Sequence, residues 1–261
     1  MLAEVLSFCR EAGAEILRLY AAEIQVTYKE DRSPLTAADK ASHELLLRRL
    51  TGLTPGIPVV SEESSSRPDP GAALDGQFWL VDPLDGTKEF LKRSGNFTVN
   101  VALIRNGQPV VGAVFAPVPN LAYFAQRGSG AWRQESGAEA IRIHTRPAVA
   151  NRLRIVASKD HAGPEVKALL ERFPTAEITS IGSSLKFCMV AEGRADFYPR
   201  FVGTMEWDTA AAQCVVEESG GRVLRLDGAP LSYGKRDWRN PAILTIGDPE
   251  FDWRMSVTGI L

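Results

Sequence analysis

An α+β / α/β fold is predicted for this chain by three features of its sequence. Two helical patterns open it, a run of closely spaced β segments follows, and strand–helix alternation fills the remainder. The first helix is written by Leu2, Val5, Leu6, Cys9, Ala12, Ile16, Leu17 and Tyr20, which recur at three- and four-residue steps and so share one helical face. The stretch SPLTAADKASHELLLRRL predicts a second helix. Thr36 is its candidate N-cap, Asp39 stands three residues on as in a capping box, and Leu45, Leu46 and Leu50 supply the buried face. TPGIPVVSEE reads as a turn and a short strand, and SSSRPDPGAALDG as a polar surface loop. Phe78, Trp79, Leu80 and Val81 form an apolar strand that Pro83 should end, because proline has no N–H to give to a ladder. TVNVALI, PVVGAVFAPV and LAYFAQ then predict an antiparallel meander, with the hairpin turn RNGQ between the first two.

From about residue 152 the pattern changes. LRIVAS, EITSIG, ADFYPR, RVLRL and AILTI read as strands. GPEVKALLERF, SLKFCMVAEG and WDTAAAQCVVEESGG read as helices, the last with a glycine stop, and a short helix should close the chain. Strand–helix alternation favours a second, α/β half. The expected division is residues 1–140, an α+β half with a large antiparallel sheet, and residues 150–261, an α/β half, with the boundary near 134–152.

Composition narrows the function. With 261 residues, 44% apolar and 24% charged, the chain is an ordinary globular protein of one large or two modest domains. A formal net charge of -2 offers no clustered positive field for nucleic acid. Lys235, Arg236 and Arg239 read as a solvated basic loop. No run approaches the roughly 20 apolar residues that span a bilayer, and the N-terminus, acidic and periodic, is not a signal peptide. Cys9, Cys188 and Cys214 are odd in number and unpaired by motif, which implies buried reduced thiols and a cytoplasmic home.

Chemistry gathers where apolar segments end. Glu62 and Glu63 close IPVVSEE, Asp82 and Asp85 close FWLVDPLD, and Asp208 opens a helix directly after Trp207. Alone, each has a plain role: a turn, an N-cap, a solvated loop. Together they would repel unless a cation neutralises them or one stays protonated. Oxygen-only ligands point to a hard cation, Mg²⁺ ahead of Mn²⁺ or Ca²⁺. Zinc is disfavoured, since His43, His144 and His161 are far apart and no cysteines pair. In DPLDGT the Leu84 carbonyl is left free, Gly86 permits a tight turn, and Thr87 stands where a helix should begin, a seat for phosphate.

VVSEES at 59–64, WLVDPLDGTKEF at 79–90 and WDTAAAQCVVEESGGRV at 207–223 resemble the motifs of the inositol monophosphatase superfamily of Mg²⁺-dependent, lithium-sensitive phosphatases, in the family's order and across most of the chain. DPLDGTKEF and TSIGSSLKFCMVAEG look like the 3′(2′),5′-bisphosphate nucleotidase branch of sulfur metabolism; inositol monophosphatases tend to carry Asn where Glu89 stands. The resemblance implies a layered αβαβα sandwich of the inositol monophosphatase / fructose-1,6-bisphosphatase type. It implies two or three Mg²⁺ ions per site. Glu62, Asp82 and the Leu84 carbonyl would bind one, Asp82, Asp85 and Asp208 a second, and Asp39 would serve a further metal-linked acidic site. Thr87 with Glu62 would orient the attacking water, and the backbone of Gly86 and Thr87 would hold the phosphate. His161, Ser183, Lys186 and Arg200, with Asp208, would surround a bisphosphate nucleotide. The implied reaction releases AMP and phosphate by in-line hydrolysis between two cations.

The resemblance leaves open an inositol or sugar monophosphatase, a homodimer, and peripheral contact with the inner membrane. A haloacid-dehalogenase-type phosphatase fits less well: its aspartates stand two apart near the start of the chain, whereas Asp82 and Asp85 are three apart and follow some eighty residues. A non-catalytic phosphometabolite sensor would be expected to have lost a ligand or Thr87, and all are present.

Overall fold

The structure is a computed structural model that describes residues 1–21, 26–28, 34–65, 76–157, 163–253 and 258–259. Helices α1 (Leu2–Tyr20) and α2 (Ala37–Leu53) follow the sequence pattern, separated by the short pair β1 (Val26–Tyr28) and β2 (Pro34–Thr36). The N-terminus of α2 is closed by a capping box: Thr36 Oγ1 accepts from the Ala38 N–H, and the Thr36 N–H donates to Asp39 Oδ2 at 2.8 Å. Leu46 and Leu50 are fully buried, and Leu45 packs at the margin of the same core.

A seven-stranded sheet follows: β3 (Val59–Ser61), β4 (Gln77–Asp85), β5 (Thr98–Arg105), β6 (Gln108–Ala116), β7 (Leu121–Gln126), β8 (Gly130–Glu135) and β9 (Ile141–Ile143), in sequence order. Only β3 and β4 run parallel; the rest is the predicted meander. Asn106 and Gly107 both take positive φ, 49° and 72°, as a tight hairpin turn demands. Helix α3 (Thr87–Leu91) interrupts between β4 and β5.

The second sheet has the order β11 (Glu177–Ser180), β10 (Arg154–Ala157), β12 (Phe197–Arg200), β16 (Ile243–Ile246), β14 (Arg222–Arg225). It is mixed: β10 runs parallel to β11 and β12, whereas β16 is antiparallel to β12 and β14. The helices α4 (Pro164–Glu171), α5 (Leu185–Ala191) and α6 (Ala210–Glu218) separate its strands along the chain, and β13 (Thr204–Met205) pairs with β15 (Arg239–Asn240) beside it. The expected C-terminal helix and much of the 64–76 loop lie outside the described residues.

Three cores stack these elements into α, β, α, β, α layers. One joins α1 and α2 to a face of the first sheet. The second packs α5 and α6 between the two sheets. The third covers the far face of the second sheet with α4 and Trp253. Alternation along the strands enforces this. Phe78 and Leu80 enter the middle core while Trp79 and Val81 enter the first; Tyr198 and Phe197 divide between the second and third. Strands buried on both faces therefore read as continuous apolar runs.

Two local expectations are corrected. Pro83 does not end its strand: β4 continues to Asp85 through a bulge, with Asp82 opposite Asn100 and Asp85 opposite Thr98. The extra residue needs no ladder bond, so proline fits there. Asp208 does not open α6. It ends a 3₁₀ turn, Glu206–Asp208, and its Oδ2 accepts from the Met205 N–H at 2.9 Å.

Candidate active site

The bulge in β4 aims its carboxylates at one end of the first sheet. Asp82 is held by the Leu84 N–H, which donates to its Oδ1 at 3.1 Å, and the Pro83 carbonyl accepts from Ser42 Oγ at 2.7 Å. The chain then turns at Gly86, whose φ of 94° is left-handed, a conformation glycine adopts without a Cβ clash. That turn starts α3 at Thr87, where the first N–H groups have no partner inside the helix.

These residues line a cavity of about 320 Å³. Glu62, Asp82, Leu84, Asp85, Gly86, Thr87, Ser183, Lys186, Arg200 and Asp208, all proposed from sequence, share its wall. Asp39 does not line it. It is buried behind Thr87 and accepts from Thr87 Oγ1 on Oδ1 at 3.3 Å while capping α2 through Oδ2. His161 lies outside the described residues.

The carboxylates act on one another. Burial, then the negative charges of Glu62, Asp85, Asp208 and Asp39, drives the Asp82 carboxyl well above its usual range. Burial and the Asp85 charge push Asp208 up to about 8. Asp39 is raised by burial against the pull of Thr36. Among the described residues no three His, Cys, Asp or Glu groups are already drawn to one centre. The donor set fits a hard divalent cation: it is all oxygen, anionic, buried at Asp82 and half-buried at Glu62, Asp85 and Asp208, and electrostatically unbalanced. No cysteine lines the cavity, and burial raises the Cys9, Cys188 and Cys214 thiols.

Basic side chains line the same cavity, Lys186 and Arg200 among them. Lys186 is only 7% exposed, so it is not the surface charge its sequence context allows. Its Nζ donates to the Ser183 carbonyl at 2.7 Å and lies 5.6 Å from the Tyr198 ring centroid. Burial lowers its pKa to about 8. Arg200 stands two residues beyond Tyr198, on the same face of β12 by strand period.

Sequence reasoning passed over three supports. Ser184, next to the proposed Ser183, bonds Asp85 through both its N–H and Oγ, at 2.6 and 2.7 Å; the paired serines of IGSSLKF were the available signal. Tyr198 shares the cavity wall with Lys186 and Arg200, and alternation in ADFYPR carried that information. Glu206 is fully buried and anchors the 3₁₀ turn by accepting from the Gly234 and Lys235 N–H groups and from Lys235 Nζ at 2.6 Å. Lys235 is therefore paired rather than a purely solvated charge, while Arg236 and Arg239 are exposed.

An acidic, oxygen-lined cavity with a helix start at its edge, on an α, β, α, β, α stack, defines a metal-dependent phosphatase. The model of the inositol monophosphatase family matches residues 1–248, and the chain belongs to that family. It is 46% identical over 242 residues to the 3′(2′),5′-bisphosphate nucleotidase CysQ of Escherichia coli O157:H7, covering 91% of this chain and 95% of the relative. The corresponding protein of Aggregatibacter actinomycetemcomitans is 36% identical over 97% of this chain and 95% of its own. Among solved structures, CysQ from Bacteroides thetaiotaomicron superposes with a TM-score of 0.83 at 37% identity, covering 95% of this chain and 97% of that one. SuhB from Bartonella henselae gives 0.82 at 23% identity over 98% of both chains, a likeness of fold alone.

Proposed function

We propose that the protein is a Mg²⁺-dependent phosphatase that removes the 3′(2′)-phosphate of adenosine 3′(2′),5′-bisphosphate, giving AMP and phosphate. The observation that carries this reading is the mixed lining of one cavity: the carboxylates Glu62, Asp82, Asp85 and Asp208 share it with the buried Lys186 and with Arg200. The carboxylates suit the reacting phosphate with its cations, the basic pair a second phosphate that is not cleaved. The names of the relatives near 46% identity support the same substrate.

Glu62, Asp82 and the Leu84 carbonyl would hold one Mg²⁺, and Asp82, Asp85 and Asp208 another; Asp39, off the cavity wall, would act on the site only through Thr87. Bound there, the cations would supply Lewis-acid activation of water and charge neutralisation at the leaving oxygen. The side chains supply orientation. The single Thr87 hydroxyl proton has two acceptors in reach, Asp39 Oδ1 at 3.3 Å and the Leu84 carbonyl at 3.5 Å; its lone pairs would orient the attacking water together with Glu62. The N–H groups of Gly86 and Thr87 offer donors to the phosphate. Ser183, Lys186 and Arg200 would seat the nucleotide, with His161 as a further contact proposed on resemblance alone. No covalent intermediate is required, because phosphoryl transfer needs positioning and charge stabilisation more than a nucleophile.

Side-by-side turnover tests this. Phosphate release with Mg²⁺ should be far faster from adenosine 3′,5′-bisphosphate than from inositol 1-phosphate. Comparable rates would move the assignment to an inositol or sugar monophosphatase.

A further inference from the structure

We infer that Ser184, with Thr98 and Asn100, holds Asp85 as a one-oxygen ligand and thereby biases the cavity toward Mg²⁺ over Ca²⁺, an inference that rests on the divalent-cation reading above. Ser184 is a positioning residue, since it acts through Asp85.

Four donors converge on a single oxygen. Asp85 Oδ2 accepts from the Ser184 N–H at 2.6 Å, from Ser184 Oγ at 2.7 Å, and more weakly from Thr98 Oγ1 and Asn100 Nδ2, each at 3.3 Å. Among the described residues, no hydrogen bond ends on Oδ1. Asp85 nevertheless lines the cavity. One oxygen is engaged with the protein and the other is left for a ligand.

The supporting groups are rigid. Ser184 is 1% exposed, Asn100 1%, and Thr98 fully buried. Asn100 Nδ2 also donates to Ser184 Oγ at 2.9 Å, while Asn100 Oδ1 is buried without a partner. Turning the amide over would place that oxygen against the carboxylate, so the orphaned carbonyl is the lesser cost. Ser183 takes a φ of +52°, a left-handed conformation that costs a serine energy and sets the direction from which the next N–H reaches Asp85. The single Ser184 hydroxyl proton is shared between Asp85 Oδ2 and the Asp208 carbonyl, 2.9 Å away. Ser184 thus ties the end of β4 to the turn that carries Asp208.

The consequence for cations is geometric. Mg²⁺ needs near-octahedral oxygens at about 2.0–2.1 Å, whereas Ca²⁺ takes six to eight at about 2.3–2.6 Å and accepts two-oxygen carboxylates. To bind through both oxygens, Asp85 would have to free Oδ2 from four donors. Mg²⁺ requires no such loss.

Titration calorimetry of Mg²⁺ and of Ca²⁺ into the whole, metal-stripped protein tests the inference, comparing wild type with Ser184→Ala, Ser184→Thr and Thr98→Val. Ser184→Ala should narrow the ratio of the Ca²⁺ Kd to the Mg²⁺ Kd by about tenfold, the low end of the effect of outer partners on metal affinity. Thr98→Val, nearly isosteric, should narrow it less but in the same direction, and carries the test if Ser184→Ala does not fold. Ser184→Thr keeps the hydroxyl and should keep the ratio. An unchanged ratio in both Ser184→Ala and Thr98→Val, or equal weakening of both cations, overturns the inference and leaves Ser184 a structural tie. Uptake of neither cation by the wild type overturns the cation reading itself, and this inference with it.

Discussion

Lys186 keeps an ammonium in a site where burial opposes its charge. Its pKa falls to about 8 from this burial, although Asp85, Glu89 and Asp208 pull the other way. A phosphate beside it would reward the protonated form. The ratio kcat/KM reports groups in the free enzyme, so for the bisphosphate it should decline as pH rises through about 8. Lys186→Met should remove that decline and raise KM roughly tenfold to a hundredfold, the worth of one charge-assisted hydrogen bond. Lys186→Arg, which stays charged, should also lose the decline while retaining more affinity. A pH profile unchanged in Lys186→Met would remove Lys186 from substrate recognition. Sequence alone left this residue open between surface charge and ligand. Its helix places it, but only the approach of β12 buries it.

At the scale of elements, close approach decides the site. Helix α6 lies on the first sheet over Gly112 of β6, where a methyl would stand 2.3 Å from the Ala211 carbonyl oxygen and 2.7 Å from Cys214 Cβ. Backbone cannot yield as a flexible side chain does. Gly112→Ala should therefore cost about 3 kcal/mol and lower the melting midpoint by several degrees, a shift readable by calorimetry; no change in the midpoint would mean that α6 slides freely. The same helix follows directly on the turn bearing Asp208, so its seating on β6 helps to set where that carboxylate stands. The β4 bulge is the other element-level device. Pro83 announced an interruption in the sequence, but whether the strand stopped or bulged depended on the partner strand β5, which resumes pairing at Thr98.

For the whole molecule, the acidic cavity sets a dependence on pH and cation. In the cation-free protein, Asp82 and Asp208 hold protons more tightly than in the unfolded chain. Stability from that preference is full below the unfolded carboxylate value, about 4, and is lost as pH rises through the raised folded values, about 8 for Asp208. The metal-stripped protein should therefore melt at falling temperature from pH 5 to pH 8. A divalent cation held only by the folded form would reverse the loss, so the stabilising increment from added Mg²⁺ should be larger at pH 8 than at pH 5. Equal increments in thermal melts at the two pH values would show that the carboxylates do not share a field. Among the described residues no helix is long and apolar enough to cross a membrane.

The sequence by itself determined the two opening helices, the meander with its Asn106–Gly107 turn, and most of the acidic set. Helical and strand periods are local, and carboxylates ending apolar runs are visible without a fold. The Thr36–Asp39 cap was equally legible, being a three-residue geometry. Its second use was not: Asp39 reaches Thr87 across 48 positions. Tertiary structure alone decided that Asp208 ends a 3₁₀ turn anchored by Glu206, that the second sheet is mixed, and that Ser184 grips Asp85 from 99 residues away. The reason is physical. Periodicity says which face of an element is apolar, but hydrogen bonds and fields between carboxylates depend on distances that only packing of the two sheets about α5 and α6 brings into range.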